Sequence, residues 1–269
     1  MAIIDASRVA ADRAMWRSVA MPSEHGGWGL TLEPVLLGLI VAWSAGGLAL
    51  GVAAFLAFLV RTPLKLVLVD VRRKRWLDRS RLAARVTAGE LSALGIAVVI
   101  AGRLAGWAWL LPVLAAVPFV AIEVWFDIRS RGRRLVPELC GAIGITAVSA
   151  AMVIASGKGA ALAAGVWLVL AARALGAIPF VRIQIMRLRR GHAPVSQSDL
   201  AQAVSLAIGL VAFVLDRRLA AGLVWVALLA ALQTVWVRQA PIPAKQLGLW
   251  QMAIGLGLVA LTSAGVLLS

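Results

Sequence analysis

The chain has 269 residues, 62% of them hydrophobic and 14% charged, with a mean hydropathy of +0.93 and a formal net charge of +15. Long apolar stretches recur from Trp28 to the C-terminal end, each near the roughly 20 residues that cross ~30 Å of hydrocarbon, which predicts an all-α polytopic transmembrane helical bundle with no sizeable water-soluble domain. The basic residues occupy short loops between these stretches, so the charge excess reads as membrane topology and no nucleic-acid partner is expected.

Residues 1–24 are expected to form a cytosolic or interfacial N-terminal segment. Arg8, Arg13 and Arg17 lie there without a continuous apolar core and small-residue cleavage site, so an uncleaved N-terminus is predicted. Ile3, Ile4, Val9, Met15, Trp16 and Val19 share one loose helical face, which fits either a short helix on the membrane surface or a disordered tail. Residues 25–269 read as a single transmembrane domain. Its nine predicted helices lie near 27–44, 48–69, 88–103, 107–125, 137–156, 160–181, 200–215, 219–236 and 247–268.

With the N-terminus in the cytosol, twenty of the 27 Lys and Arg residues fall in cytosolic segments, and only Arg103, Lys158, Arg217 and Arg218 fall on the other side. That asymmetry predicts an N-in, C-out orientation. Trp28, Trp43, Trp107, Trp109, Trp125, Trp236 and Trp250 stand near span ends as expected interfacial anchors, while Trp167 and Trp225 read as packing residues. Cys140 is the single cysteine, so neither an internal disulfide nor a cysteine metal cluster is available.

Three cations remain within spans. Arg61 and Lys65 lie inside the apolar run from Phe55 to Val71, and Arg173 interrupts a second run. A charged side chain in hydrocarbon costs at least ~2.5 kcal/mol, so such residues face partners, a cavity or a ligand. Glu33, Arg61, Lys65, Glu90, Glu123, Asp127, Glu138, Arg173 and Arg182 all map to the cytosolic halves or ends of spans, which points to a cavity open to the cytosol rather than a continuous channel. Glu33 and Arg61 lie roughly 12 Å deep, a matching level for pairing. Two readings of the cluster stand. Arg61, Lys65, Arg173 and Arg182 form a metal-free grip on phosphate or carboxylate, or the five acids neutralise them as an internal network. The first reading makes Arg61, Lys65, Arg173, Arg182, Glu24, His25, Glu33, Glu123 and Asp127 the candidate ligand-binding set; no catalytic residue is assigned.

Other residues add less. His25 beside Glu24 suits proton transfer near neutral pH or simple packing, and His192 sits in a basic loop. Two histidines cannot build a histidine-rich metal cage. No cofactor is predicted, with magnesium left open. Pro118 to Glu123 and Pro179 to Gln184 differ at two of six positions, a hint of an internal repeat or a chance match of apolar residues. Pro63, Pro118 and Pro179 each free a carbonyl one turn earlier and are candidate kinks.

The opening of the first span, MPSEHGGWGLTLEP at 21–34, resembles the YwiC-like bacterial membrane proteins. The resemblance rests on Glu24, His25, Gly26, Trp28 and Pro34, together with an Arg-x-Pro-Leu segment at Arg61 to Leu64, and extends over the whole chain in topology. Nine helices with this orientation are also similar to the UbiA-type intramembrane prenyltransferases. Those enzymes carry aspartate-rich motifs for magnesium and prenyl diphosphate at the cytosolic ends of helices two and six. The matching positions here hold Arg61, Thr62, Pro63 and Lys65, then Arg173, Pro179 and Arg182, so neither magnesium motif is present.

Three functional classes follow: a carrier or binding protein for an anionic solute, a membrane enzyme acting on an isoprenoid or lipid, and a structural partner of a membrane complex. The first leads. Membrane lipids and an anionic small molecule or isoprenoid lipid are the expected partners, with the oligomeric state open, and the bacterial cytoplasmic (inner) membrane is the expected location.

Overall fold

The computed structural model describes residues 14–22 and 25–269, which contain helices and no strand. A short helix α1 over 14–20 precedes α2 (His25–Val41), α3 (Ala45–Arg72), α4 (Asp78–Ala105), α5 (Leu110–Ile128), α6 (Leu135–Ala155), α7 (Ala160–Arg190), α8 (Ser196–Leu215), α9 (Ala220–Trp236) and α10 (Ala244–Leu268). Helices α3 to α8 and α10, and α9 together with the helical turn Arg217–Leu219 before it, are long and apolar enough to cross a membrane, and α2 is a shorter apolar helix. The protein is therefore a multi-pass membrane protein. All nine expected spans are present. Of the expected N-terminal surface helix, Met15, Trp16 and Val19 fall in α1, whereas Ile3, Ile4 and Val9 lie outside the described residues.

Several helices outrun their apolar cores. The second, third and sixth spans were expected over 48–69, 88–103 and 160–181, yet α3, α4 and α7 run over 45–72, 78–105 and 160–190. Hydropathy marks only the part suited to hydrocarbon, while Arg, Lys and Glu propagate a helix well beyond it. The ends are set by local chemistry. Ser44 caps α3 by accepting from the Gly47 amide at 2.9 Å. Gly191 closes α7 in the left-handed conformation, φ 77°, and donates its amide to Arg187 O.

Direct bonds show which loops share an end. Arg72 and Arg73 donate to Ile128 O and Ser130 Oγ, Arg182 reaches Arg133 O, and Arg238 meets Asp199, so the segments after α3, α5, α7 and α9 lie together at one basic end. At the opposite end Lys158 Nζ donates to Val41 O at 2.6 Å, a cation on the C-terminus of α2. There Arg218 bonds the Asp216 carboxylate in the turn before α9 and holds it below the usual carboxylate range.

Helices α2, α6, α7, α8, α9 and α10 form a closed ring of neighbours, with α7 also touching α2, α9 and α10 across it. Helix α7 can sit inside because its packed positions are small, among them Ala163, Gly165, Ala171, Ala172, Ala174, Gly176 and Ala177. Trp167 and Trp225 donate their indole N–H groups to Ile143 O and Ile254 O, stitching α7 to α6 and α9 to α10. Outside the ring, α3 packs on α2, α5 and α6, and α4 packs on α3. The outward faces of α4, α5, α8, α9 and α10 expose large aliphatic side chains such as Ile96, Leu111, Val214, Leu228 and Leu249, the surface that lipid covers. Trp43, Trp107, Trp125 and Trp250 are exposed near helix ends, as anchors should be. Trp109 is not an anchor: it is 2% exposed and packs in the core with Ala101, Ala151 and Met152. The chain turns inward at the start of α5, where Trp107 stacks beside it and takes the exposed position.

Candidate functional site

Arg61 and Lys65 are four apart on α3, and Glu123 and Asp127 are four apart on α5, so each pair lies on one helical face. The two faces meet. Arg61 Nη2 lies 2.8 Å from Glu123 Oε1, Arg61 Nε donates to Asp127 Oδ2 at 3.1 Å, and Lys65 Nζ donates to Asp127 Oδ1 at 2.8 Å. The exposures differ sharply: 32% and 35% for the Arg61 and Lys65 side chains against 13% and 6% for Glu123 and Asp127. The acids are closed in while the cations keep an open side.

Helix lengths place this cluster. Helix α3 has 28 residues and spans about 42 Å, whereas the 19 residues of α5 span about 28 Å, close to the hydrocarbon thickness alone. Asp127 lies in the last turn of α5, so Lys65 stands beside the C-terminal end of that helix while α3 runs on to Arg72. Arg61 is about one helical turn earlier on α3.

Each carboxylate sits where a neighbouring side chain is missing. A Cβ added at Gly141 on α6 would lie 2.2 Å from Glu123 Oε1, so the acid occupies the space a larger residue would take. Gly141→Val is expected to push Glu123 off Arg61 and cost ~1–3 kcal/mol, read as an earlier unfolding transition of the purified protein. Adding Glu123→Ala to that variant should recover part of the loss, because the crowded group is then gone.

The remaining predicted cations lie elsewhere. Arg173 on α7 is 5% exposed and donates Nη2 to Gln251 O at 2.7 Å. Its Nη2 is 3.7 Å from Glu33 Oε1, a contact of charges rather than a hydrogen bond. Arg182 bonds Glu138 at 2.8 Å and Arg133 O at 3.0 Å. The four cations are thus divided among three places. Arg61 does not pair with Glu33, as matching depth had allowed. Glu33 lies on the face of α2 turned to α10, where Gly255 makes room for it: a Cβ there would be 1.8 Å from Glu33 Oε1. Glu90, the fifth acid, stands apart on α4 with a buried Oε2 that has no hydrogen-bond partner among the described residues. Glu24 and the side chain of His25 lie outside the described residues.

Charges were conspicuous in the sequence, but the uncharged polar residues around Arg173 were not. Gln202, Ser205, Gln233 and Gln251 are all buried in the ring. Gln202 donates to Gly176 O at 2.9 Å and to Gln233 Oε1 at 3.0 Å, and Ser205 donates to Ala172 O at 2.7 Å. Their signal was an amide or hydroxyl within an otherwise apolar span, on three different helices.

Among the described residues, Asp70, Glu123, Asp127, Glu138 and Asp199 are each engaged by a cation. Asp70, for example, accepts from Ser80 Oγ at 2.7 Å and Arg75 Nε at 2.8 Å. Such a donor set does not fit magnesium on the prenyltransferase pattern, which needs carboxylates free to turn toward the ion.

The model of the YwiC-like protein family matches residues 21–156. The chain belongs to the YwiC-like family. The match runs from just before α2 to the end of α6, so it contains Glu33 and the Arg61–Lys65–Glu123–Asp127 cluster of this YwiC-like protein but stops before Arg173. No curated protein and no solved structure matches the chain.

Proposed function

We propose that this YwiC-like protein sits N-in, C-out in a bacterial cytoplasmic membrane and binds an anionic group, phosphate or carboxylate, of a small molecule or lipid at its cytosolic face, as a carrier or binding protein. The observation that carries this reading is the unequal exposure within the α3–α5 cluster. Glu123 and Asp127 hold Arg61 and Lys65, and both cations stay about a third exposed near the basic end of the bundle, where an anion arriving from the aqueous side meets them first. Arginine supplies a planar fork for two anion oxygens and lysine a point charge beside it.

The test uses the full chain in nanodiscs of neutral phosphatidylcholine. Labelled inorganic phosphate and a labelled isoprenyl phosphate are offered separately, so a free anion and a lipid-borne one are distinguished. The Arg61→Ala/Lys65→Ala variant is expected to retain at least about tenfold less of the preferred probe than the native chain, equivalent to ~1.4 kcal/mol, while eluting as the same folded species. Equal retention by both chains, or none by the native one, sinks the reading. Release of diphosphate from a prenyl diphosphate in the same assay would instead favour an enzyme.

A further inference from the structure

The interior of the ring holds polar groups that the Arg173–Glu33 contact does not use. Arg173 Nε and Nη1 and both polar atoms of the Gln251 amide are buried with no hydrogen-bond partner among the described residues. Arg173 also borders a small cavity of ≈ 10 Å³, walled further by Gly176, Gln202, Ser205, Val226, Leu229 and Gln233. That is room for about one water-sized particle. Buried N–H groups without acceptors are rare because each forgoes its hydration, and a guanidinium that lines a cavity and has two such nitrogens is set up to receive an acceptor.

We infer that this cavity is a binding site for a single small monovalent inorganic anion of about halide size, and that its occupation is coupled to protonation of Glu33. Arg173 provides one positive charge in a low-dielectric interior. If Glu33 stays ionised, an added anion leaves the pocket with a net negative charge, which burial penalises heavily. If Glu33 carries a proton, the anion becomes the sole counter-charge of Arg173. Anion and proton therefore enter together, one of each, and leave together. No covalent bond changes in this exchange.

The geometry permits the trade. The Glu33 oxygen is 3.7 Å from Arg173 Nη2, so the carboxylate neutralises the guanidinium without occupying its donors. Other ionisable groups stand on the helices packed against α2, among them Arg182 on α7, which is bonded to Glu138. Of the helices packed on it, α3 carries Arg61 and Lys65, held by Glu123 and Asp127, and Asp70, held by Arg75 and Ser80. Helix α6 carries Cys140 and Glu138, the latter bonded to Arg182, and α10 faces Glu33 with Gly255 and carries Lys245 in its first turn. On α2 itself His25 stands about two turns earlier. This site shares no residue with the α3–α5 cluster, so it stands whether or not phosphate or a lipid anion binds there.

Radiolabelled chloride is the probe, with the native chain in neutral nanodiscs between about pH 5 and pH 8. Chloride affinity is expected to rise by up to about tenfold for each pH unit lowered through the titration of Glu33, as one-to-one linkage requires. Chloride added to the weakly buffered protein should take up protons, approaching one per anion bound. Glu33→Gln should bind chloride with no pH dependence, and Ser205→Val, which fills the cavity with methyl groups, should bind none. Absence of chloride binding by the native chain at every pH overturns the inference, as does binding without proton uptake. The proton-uptake measurement needs no variant, so it decides the matter even where Glu33→Gln fails to fold.

Discussion

Arg173→Met is expected to cost ~3–5 kcal/mol of stability, because removing one partner of a buried charge pair leaves the other without compensation. Glu33 is 4% exposed and has Arg173 as its opposing charge in the ring. The loss should appear as an earlier unfolding transition of the purified protein at neutral pH. Replacing both residues by apolar ones of similar size, Glu33→Leu with Arg173→Met, should recover most of it, since the desolvation of two ions disappears together with their attraction. The same double change deletes the only buried cation among the described residues of the ring interior, so chloride retention should vanish while the fold returns. A single variant as stable as the native chain would show that the pair contributes nothing.

The second large effect is expected at Asp127, which accepts from both Arg61 and Lys65 and is itself almost fully buried. Asp127→Ala leaves two cations against Glu123. The cost should be about 2 kcal/mol, below that of a fully buried pair because Arg61 and Lys65 are a third exposed and partly solvated. Anion retention should move the opposite way. With one counter-charge removed, phosphate retention is expected to rise several-fold, about 1 kcal/mol in binding, while the melting transition falls. Adding Lys65→Met restores the charge balance and should reverse both changes. Parallel loss of stability and of retention would mean that Asp127 shapes the binding surface itself rather than competing with the anion.

The membrane architecture was legible because hydrophobic run length reports directly on bilayer crossing. Spans near 27–44 through 247–268 all became helices, since any backbone within hydrocarbon must satisfy its own hydrogen bonds. What hydropathy does not contain is where a helix ends once it leaves lipid, and so the charged extensions of α3, α4 and α7 were hidden. Those extensions matter to the site: α5 ends beside Lys65, whereas α3 continues to Arg72. Pairing was harder still. Depth along the bilayer is one coordinate, whereas partner choice depends on which way each helix face turns: sequence distance puts Glu33 and Arg61 at one level, yet Glu33 turns to Arg173 and Arg61 to Glu123. The likeness between Pro118–Glu123 and Pro179–Gln184 shows the same limit. Glu123 receives Arg61 while Gln184 donates to Trp236 O at 3.0 Å, so matching residues on two helices meet unrelated neighbours. Gln202, Ser205, Gln233 and Gln251 passed unremarked because one amide or hydroxyl hardly alters the mean hydropathy of a span.

The empty Cβ positions at Gly141 and Gly255 also carry a historical constraint. At each of them the carboxylate and the glycine share one volume, Glu123 with Gly141 on the next helix and Glu33 with Gly255 near the other end of the chain. The glycine cannot drift while the acid stays. A lineage that enlarges residue 255 must first shorten or lose the acid at 33, and one that keeps the acid must keep the glycine. Substitutions at 33 and 255, and at 123 and 141, are therefore expected to be inherited as linked pairs in a fixed order, acid first and glycine second.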